Sequence, residues 1–157
     1  MELYLVKVKY DTVQENGSSK QVSKLFATDA LSFTEAESRI AEEIGLWTGG
    51  KYAISSIRKV TYAELIGSEE KCDGEPIFFD VKVRFILLDE KTGKEKMTYV
   101  NMLVCEETLD KAKELFEQKM KGTMAYYEVV SVKETKINGF ISYIRNASRE
   151  GRKDGKA

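Results

Sequence analysis

Hydrophobic and polar residues alternate near the start of the chain, over Val6–Tyr10. This period of two is typical of a half-buried β-strand, here predicted over residues 3–12. The apolar positions of this strand are Val6, Val8 and Tyr10. Asn16-Gly17 predicts a hairpin turn, because both residue types accept a positive φ. We therefore expect residues 20–29 to return as a second strand.

The pattern then changes to the spacing of a helix. Ser32 and Glu35 match a capping box, which marks a helix N-terminus. Apolar residues follow at helical spacing, namely Phe33, Ala36, Ile40, Ile44 and Trp47. Gly49-Gly50 ends this helix, residues 51–60 are predicted to form a third strand, and a helical turn is predicted from Thr61 to Ile66.

The same order of elements returns later in the chain. Val6–Tyr10 is echoed by Val81–Phe85, and Tyr52–Arg58 by Tyr127–Lys133. In the helices, Ala36 corresponds to Ala112, Ile40 to Phe116 and Ile44 to Met120. The second copy predicts strands at 78–88, 95–105 and 125–135, a turn at Lys91-Thr92-Gly93, a helix at 108–120, and a helical turn or short helix starting near Asn138.

The predicted fold class is α+β, with two tandem ββαβ repeats over residues 3–66 and 78–141. Antiparallel sheets with the helices packed on one face are expected, within a single domain over residues 1–146. The polar segment Gly67–Pro76 is predicted to connect the repeats. Residues 147–157, which are mostly glycine, polar and charged, are predicted to form a disordered tail.

Composition excludes several kinds of catalysis. The 157 residues include 25 Lys plus Arg and 26 Asp plus Glu, a net charge of −1, and no histidine. Catalytic triads and histidine metal sites are therefore excluded, and no phosphate-loop motif is present. We expect no enzymatic activity, cofactor or metal; metal catalysis by Asp and Glu side chains stays open as an alternative, but no DxDxDG-like spacing supports it. Without a signal sequence or a membrane-length apolar run, a cytoplasmic location and no membrane partner are expected.

The two cysteines are predicted to be unreactive. Cys105 follows Met102-Leu103-Val104 and is expected in the core, whereas Cys72 lies in an acidic stretch and is expected to be exposed. Nucleophilic thiols need a basic surrounding, which Cys72 lacks. A disulfide is not expected in a reducing cytosol.

One predicted sheet face combines cations and aromatic rings. If the helices cover the valine-rich face, the opposite face carries Lys7, Lys9, Lys24, Phe26, Lys82, Arg84, Tyr99 and Asn101. Cations suit phosphates and aromatic faces suit bases, so a nucleotide or single-strand surface is one interpretation. A solvated sheet face is another, and the aromatic residues are alternatively buried between sheets or at a dimer interface. The candidate ligand-binding residues here are Lys7, Lys9, Lys82, Arg84, Tyr99 and Asn101.

A second candidate site is the corner at residues 121–127. Gly122 lets a ligand approach the backbone closely. Lys121, Thr123 and Tyr126 are the candidate contacts, with Thr123 donating to a phosphate and Tyr126 stacking on a ring. The alternative is a helix cap followed by an ordinary strand. The helix carboxylates need no ligand, because pairing with Arg39 at helical spacing explains them.

Three segments carry a family resemblance: residues 30–37 (ALSFTEAE), 89–96 (DEKTGKEK) and 120–125 (MKGTMA). With them the chain resembles, over roughly residues 1–144, an uncharacterised domain-of-unknown-function family of gut anaerobic bacteria, their phages and mobile elements. The resemblance implies a small cytoplasmic protein of phage or mobile-element type in a bacterial host cell. It supplies no catalytic residues.

Three functions remain open. The first is non-catalytic binding and sequestration of a nucleotide-derived small molecule, which in a phage setting would be a host immune signal. The second is single-stranded nucleic-acid binding, which a net charge of −1 does not favour. The third is inhibition of a host enzyme through protein contacts. A homo-oligomer is compatible with each.

Overall fold

The computed structural model describes residues 1–142, and the predicted disordered tail at 147–157 lies outside this range. The first repeat contains β1 (Glu2–Val13), β2 (Ser19–Thr28), α1 (Phe33–Thr48), β3 (Tyr52–Thr61) and β4 (Leu65–Ile66). The second contains β5 (Ile77–Leu88), β6 (Glu95–Glu106), α2 (Leu109–Met120), β7 (Tyr126–Glu134) and β8 (Gly139–Ile141). The predicted α+β class and the order of the main elements are confirmed.

Each helix begins after an N-cap residue whose side-chain hydroxyl accepts a hydrogen bond from a backbone N–H of the first turn. The Ser32 hydroxyl accepts from the Glu35 N–H at 3.1 Å, and the Glu35 carboxylate accepts from the Leu31 N–H at 3.1 Å. Thr108 caps α2 in the same way, accepting from the Lys111 N–H at 3.2 Å. Each cap satisfies a backbone donor that has no partner within the helix.

The strands form two four-stranded sheets, ordered β3-β1-β2-β8 and β4-β6-β5-β7. Each sheet is built around an antiparallel hairpin, β1 with β2 or β5 with β6, with the third strand of the repeat beside the first. The order third-first-second is therefore the same in both sheets. This common order supports the duplication that the sequence predicts.

The chain divides into two compact units. Among the described residues, the first-repeat unit comprises Glu2–Val60 and residues 137–142, and the second-repeat unit comprises Met1 and Thr61–Lys136. Each sheet thus takes its fourth strand from the end of the other repeat. β4 pairs in parallel with β6, and β8 pairs in parallel with β2.

The helical turns predicted at Thr61–Ile66 and near Asn138 are wrong, because β4 and β8 occupy these positions. Leu65 and Ile66 pair with Leu103 and Val104. The pairing partner of each short strand is distant in the chain, so local propensity is overridden by sheet pairing.

Each unit has its own core between its helix and one sheet face. Val6 and Val8 face α1 in one unit, and Val81 and Val83 face α2 in the other. The helix positions matched by the repeat are all buried, as predicted: Ala36, Ile40, Ile44, Ala112, Phe116 and Met120. Within the described residues, no helix is long and apolar enough to cross a membrane.

Candidate functional site

The outward face of the second-repeat sheet, opposite α2, brings four predicted residues together. Lys82 of β5 lies directly opposite Asn101 of β6, and Arg84 lies opposite Tyr99. Residues directly opposite in an antiparallel pair share a face and lie about 5 Å apart. We call this surface, with its β7 neighbours Tyr126 and Glu128, the cation–aromatic face.

Arg84 is the central cation of this face. Its guanidinium forms an ion pair with Glu128, its cross-strand partner on β7. The hydrogen-bonded pair with Glu128, followed by a hydrogen bond between Arg84 and Tyr99, raises the pKa of Arg84 above its usual value and keeps it charged. The buried Nε of Arg84 has no hydrogen-bond partner in the described part of the chain. The internal ion pair therefore leaves one donor of this cation unused.

Three further contacts involve the neighbouring residues Lys82, Tyr99, Asn101 and Asp80. The Lys82 Nζ lies over the Tyr99 ring, 5.3 Å from its centroid, which is a cation–π contact. The Asn101 amide donates to Asp80 at 2.7 Å, and the Tyr62 hydroxyl donates to the same carboxylate at 3.4 Å. Asn101 is thus held by a carboxylate rather than being presented openly to a ligand.

Tyr126 joins the same face through β7. It pairs with Ile86 of β5, two residues along from Arg84, so its ring projects on the side that carries Arg84. A β-bulge at Val130 lets both Glu128 and Ser131 pair with residues of this face. Tyr126 is 82% exposed and Tyr99 is 51% exposed. Both aromatic rings are therefore accessible.

The corner at residues 121–127 contributes less than its sequence predicts. The Lys121 and Thr123 N–H groups close the end of α2, donating to Glu117 and Met120 carbonyls at 3.1 Å each. The Thr123 backbone donor is consequently used within the turn. Of the three predicted corner residues, pairing in the sheet places only Tyr126 on the cation–aromatic face.

Lys7 and Lys9 belong to the first-repeat unit. They are exposed on β1, on the face away from α1, and pair with Leu25 and Ser23 of β2. They are the counterparts of Lys82 and Arg84 in the duplication. Their neighbours differ, because Ser23 occupies the place that Tyr99 has in the other sheet.

The placement of Lys24 and Phe26 on the outward face is wrong. Phe26 lies opposite Val6 and belongs to the core cluster beneath α1, where its ring contacts Trp47 at 5.8 Å. Lys24 lies opposite Val8 and shares that side. A strand assigned one residue out of register has every side chain on the wrong face.

Two other predictions concern Arg39 and the cysteines. Arg39 pairs with Glu35 as predicted, and also with Asp29 at 3.0 Å. Cys105 is buried as predicted, but Cys72 is half buried rather than exposed.

No group of three or more potential metal-ligating side chains occurs within residues 1–142.

Sequence reasoning missed the two carboxylates of the cation–aromatic face, Asp80 and Glu128. Asp80 follows the β5 alternation with Lys82 and Arg84, so its face was predictable. Glu128 was not, because its pairing with Arg84 depends on the register of β7. These acids lower the net positive charge of the face.

The fold and the site together define an α+β protein with a duplicated ββαβ unit and one open sheet face of aromatic and cationic side chains. The chain belongs to a family described as a domain of unknown function, DUF4494, whose model matches residues 2–143. No curated protein matches the chain.

Proposed function

We propose that this protein binds a nucleotide-derived ligand on the cation–aromatic face without changing it chemically. One observation carries the proposal: the exposed ring of Tyr99 lies beside both Arg84 and Lys82, on adjacent cross-strand pairs. Aromatic faces stack on bases, and arginine forms charge-assisted hydrogen bonds with phosphate. Asn101, by contrast, is held by Asp80.

The spacing of the two exposed tyrosines supports a ligand with more than one base. Tyr99 and Tyr126 lie on opposite sides of β5 and two residues apart along it. From strand spacing and rise, their Cα atoms are about 12 Å apart. Two rings pair at about 4.5–7 Å between centroids, so each tyrosine offers a separate stacking surface. A dinucleotide fits this arrangement, with its phosphates near Arg84.

The resemblance to phage and mobile-element proteins suggests what effect ligand binding without chemical turnover would have in a host cell. A protein that binds its ligand tightly, without converting it, lowers the free concentration of that ligand by mass action. For a host immune signal derived from nucleotides, sequestration would block signalling. Tight binding and a cellular protein concentration above that of the signal are the requirements.

Single-stranded nucleic acid is the second candidate, favoured by the openness of the face. Two separate stacking surfaces on an unenclosed sheet also suit successive bases of a strand. The overall charge of −1 and the acids Asp80 and Glu128 oppose it, because strand binding draws on many phosphate contacts. We therefore place it second.

A thermal-shift screen tests the ligand class. Cyclic dinucleotides, linear dinucleotides, ADP-ribose and mononucleotides are compared with a labelled single-stranded oligonucleotide measured by anisotropy at two salt concentrations. A ligand at about 100 times its Kd adds about 2.7 kcal/mol of stability. Dinucleotides are expected to stabilise more than mononucleotides. Preference for the oligonucleotide, with strong salt dependence, would select the second candidate instead.

Variants with opposite expected effects test the site. Arg84→Ala should weaken binding at least about tenfold, equivalent to about 1.5–3 kcal/mol for a charged hydrogen bond. Glu128→Gln should tighten binding, because the carboxylate no longer competes with phosphate for Arg84. Lys9→Ala is the matched control, since Lys9 is the counterpart of Arg84 in the first repeat and has no aromatic partner across the strand.

Two results would overturn the proposal. Equal loss of affinity in Lys9→Ala and Arg84→Ala would show that the cation–aromatic face is not the site. Recovery of a chemically altered ligand after incubation would make the protein an enzyme.

A further inference from the structure

The segment that connects the repeats lies tightly against the end of β6. Gly67 has a φ of +83°, and a Cβ at this position would come within 2.4 Å of the Cys105 carbonyl oxygen. Only glycine accepts both the positive φ and this close approach. The backbone of the connecting segment is therefore in direct contact with the backbone of Cys105.

Glu107 fixes the other end of the segment. Its carboxylate accepts from the Asp73 N–H at 2.5 Å and also from the Gly74 N–H, and it is paired with Lys111 at 3.3 Å. The backbone hydrogen bonds lower the pKa of Glu107, so it stays ionised and holds the segment at neutral pH. Cys72 lies between these two attachments.

Cys72 and Cys105 are consequently neighbours, although 33 positions separate them in the sequence. The Cys72 thiol donates to the Ser68 carbonyl at 3.5 Å and also interacts with the Cys105 thiol. Cys105 is 1% exposed, whereas Cys72 is half buried. An oxidant therefore reaches Cys72 first, and Cys105 is the only other cysteine in the chain.

We propose that Cys72 and Cys105 form an oxidation site, at which a hydroperoxide converts the two thiols into an internal disulfide. In the first step the Cys72 sulfur attacks the peroxide, which gives a sulfenic acid and releases water. In the second step the Cys105 sulfur displaces hydroxide from the sulfenic acid, and the hydroxide leaves as water with the Cys105 proton. Two thiols and one hydrogen peroxide thus give one disulfide and two waters.

The surroundings make this reaction slow at neutral pH. Burial, followed by the nearby charge of Glu106, raises the pKa of Cys72, and burial raises the pKa of Cys105 to about 12. Since the thiolate is the nucleophile, both groups are held in their unreactive form. The oxidation rate should therefore rise as pH increases. The site responds to sustained oxidation rather than to brief exposure.

The disulfide would fasten the connecting segment to β6. Gly67 and Glu107 hold the segment without a covalent bond, and the disulfide would close a loop that includes all of β5. Closing a loop of this length stabilises the folded state chiefly by restricting the unfolded chain. Oxidised protein should therefore melt several degrees higher than reduced protein.

Oxidation of the full-length folded protein tests the proposal. The protein is treated with hydrogen peroxide, and separately with glutathione disulfide, and is digested without reduction. The expected product is a peptide containing Cys72 linked to a peptide containing Cys105, with loss of two hydrogen atoms from the intact mass. In glutathione disulfide, the ratio of internal disulfide to glutathione adduct should be at least about tenfold higher than in urea, where the thiols meet only by random loop closure.

Variants identify the role of each thiol. Cys105→Ala should leave Cys72 to form a stable glutathione adduct, and Cys72→Ser should protect Cys105 from modification. A folded wild-type protein that gives a Cys72 adduct with Cys105 still reduced would overturn the proposal. Dimers linked through Cys72 would overturn it as well. Both outcomes are read on the wild-type protein and do not depend on whether a variant folds.

Discussion

Phe116 is the strongest single test of the packing described for the second-repeat unit. It is 1% exposed at the centre of the apolar side of α2 and lies in one core cluster with Val81 and Val83. Its ring also meets that of Tyr127 edge-on, with centroids 6.2 Å apart and planes at 83°. Phe116→Ala removes the ring and leaves a cavity beneath the helix.

The expected cost is about 4 kcal/mol. Truncating a buried phenylalanine to alanine costs about 3–5 kcal/mol through lost transfer free energy and cavity formation. Losing the edge-to-face contact with Tyr127 contributes about 0.5–1.5 kcal/mol of this and favours the upper part of the range. For a chain of this length, about 2–4 °C per kcal/mol predicts a fall in Tm of about 8–16 °C.

Urea denaturation followed by far-ultraviolet circular dichroism measures the effect. Glu117→Ala is the matched control, because Glu117 is the next residue on α2 and is exposed. Its change in unfolding free energy should stay within about 0.5 kcal/mol. If Phe116→Ala costs less than about 1 kcal/mol while the control is also neutral, the ring is not packed as described and the assigned face of α2 is wrong.

Three further predictions test local features by the same denaturation assay. Ser32→Ala and Thr108→Ala should each cost about 1 kcal/mol through loss of an N-cap, with smaller losses for glycine at the same positions; no loss would mean that the caps do not form in solution. Arg39→Leu should cost about 2 kcal/mol, because it removes a buried cation paired with two partly exposed carboxylates, and Arg39→Lys should restore part of that loss. Glu107 has a lowered pKa, so its stabilising contribution is present above the usual carboxyl pKa and is lost as pH falls through the lower, folded-state pKa. Wild type should therefore lose stability relative to Glu107→Gln between about pH 5 and pH 3, and parallel pH profiles would contradict this.

Elements whose signals lie within a few residues were predictable from the sequence. The hairpin at Asn16-Gly17 follows from Gly17, which has a φ of +81°, and the start of α1 follows from the Ser32 capping box. The buried apolar positions of both helices follow from apolar spacing, but the ends of the α1 stripe do not, since Phe33 and Trp47 are 52% and 57% exposed. In each case the physical cause is a hydrogen bond or a steric preference that neighbouring residues supply.

The two short strands were not predictable in this way. β4 and β8 have two and three residues, too few for a period-two pattern, and each exists because a distant strand offers it a partner. Both were expected to be helical turns, once in each repeat. The same error at equivalent positions of the two repeats indicates that the duplication preserves the parallel pairing of β4 and β8. The residues of these short strands carry little information about that pairing.

The candidate site was predictable in part, for a related reason. Alternation along β5 and β6 places Lys82, Arg84, Tyr99 and Asn101 on one face, as the structure has them. Alternation does not give the register of a third strand, so the ion pair of Arg84 with Glu128 was missed. The face is accordingly less positive than its sequence suggests.

The duplication indicates which copy carries the side chains on which the proposed ligand binding depends. Lys9 and Arg84 occupy equivalent positions, but across the strand Lys9 meets Ser23, whereas Arg84 meets Tyr99. The repeat offset likewise places Ala53 where the second copy has Glu128. A cation maintained only for solubility needs no aromatic neighbour and no carboxylate partner, and the first copy shows that the fold forms without them. The aromatic ring and the acid beside Arg84 are therefore features of the second copy alone, and the shared fold does not require them, whereas the proposed ligand binding does use the ring and the cation.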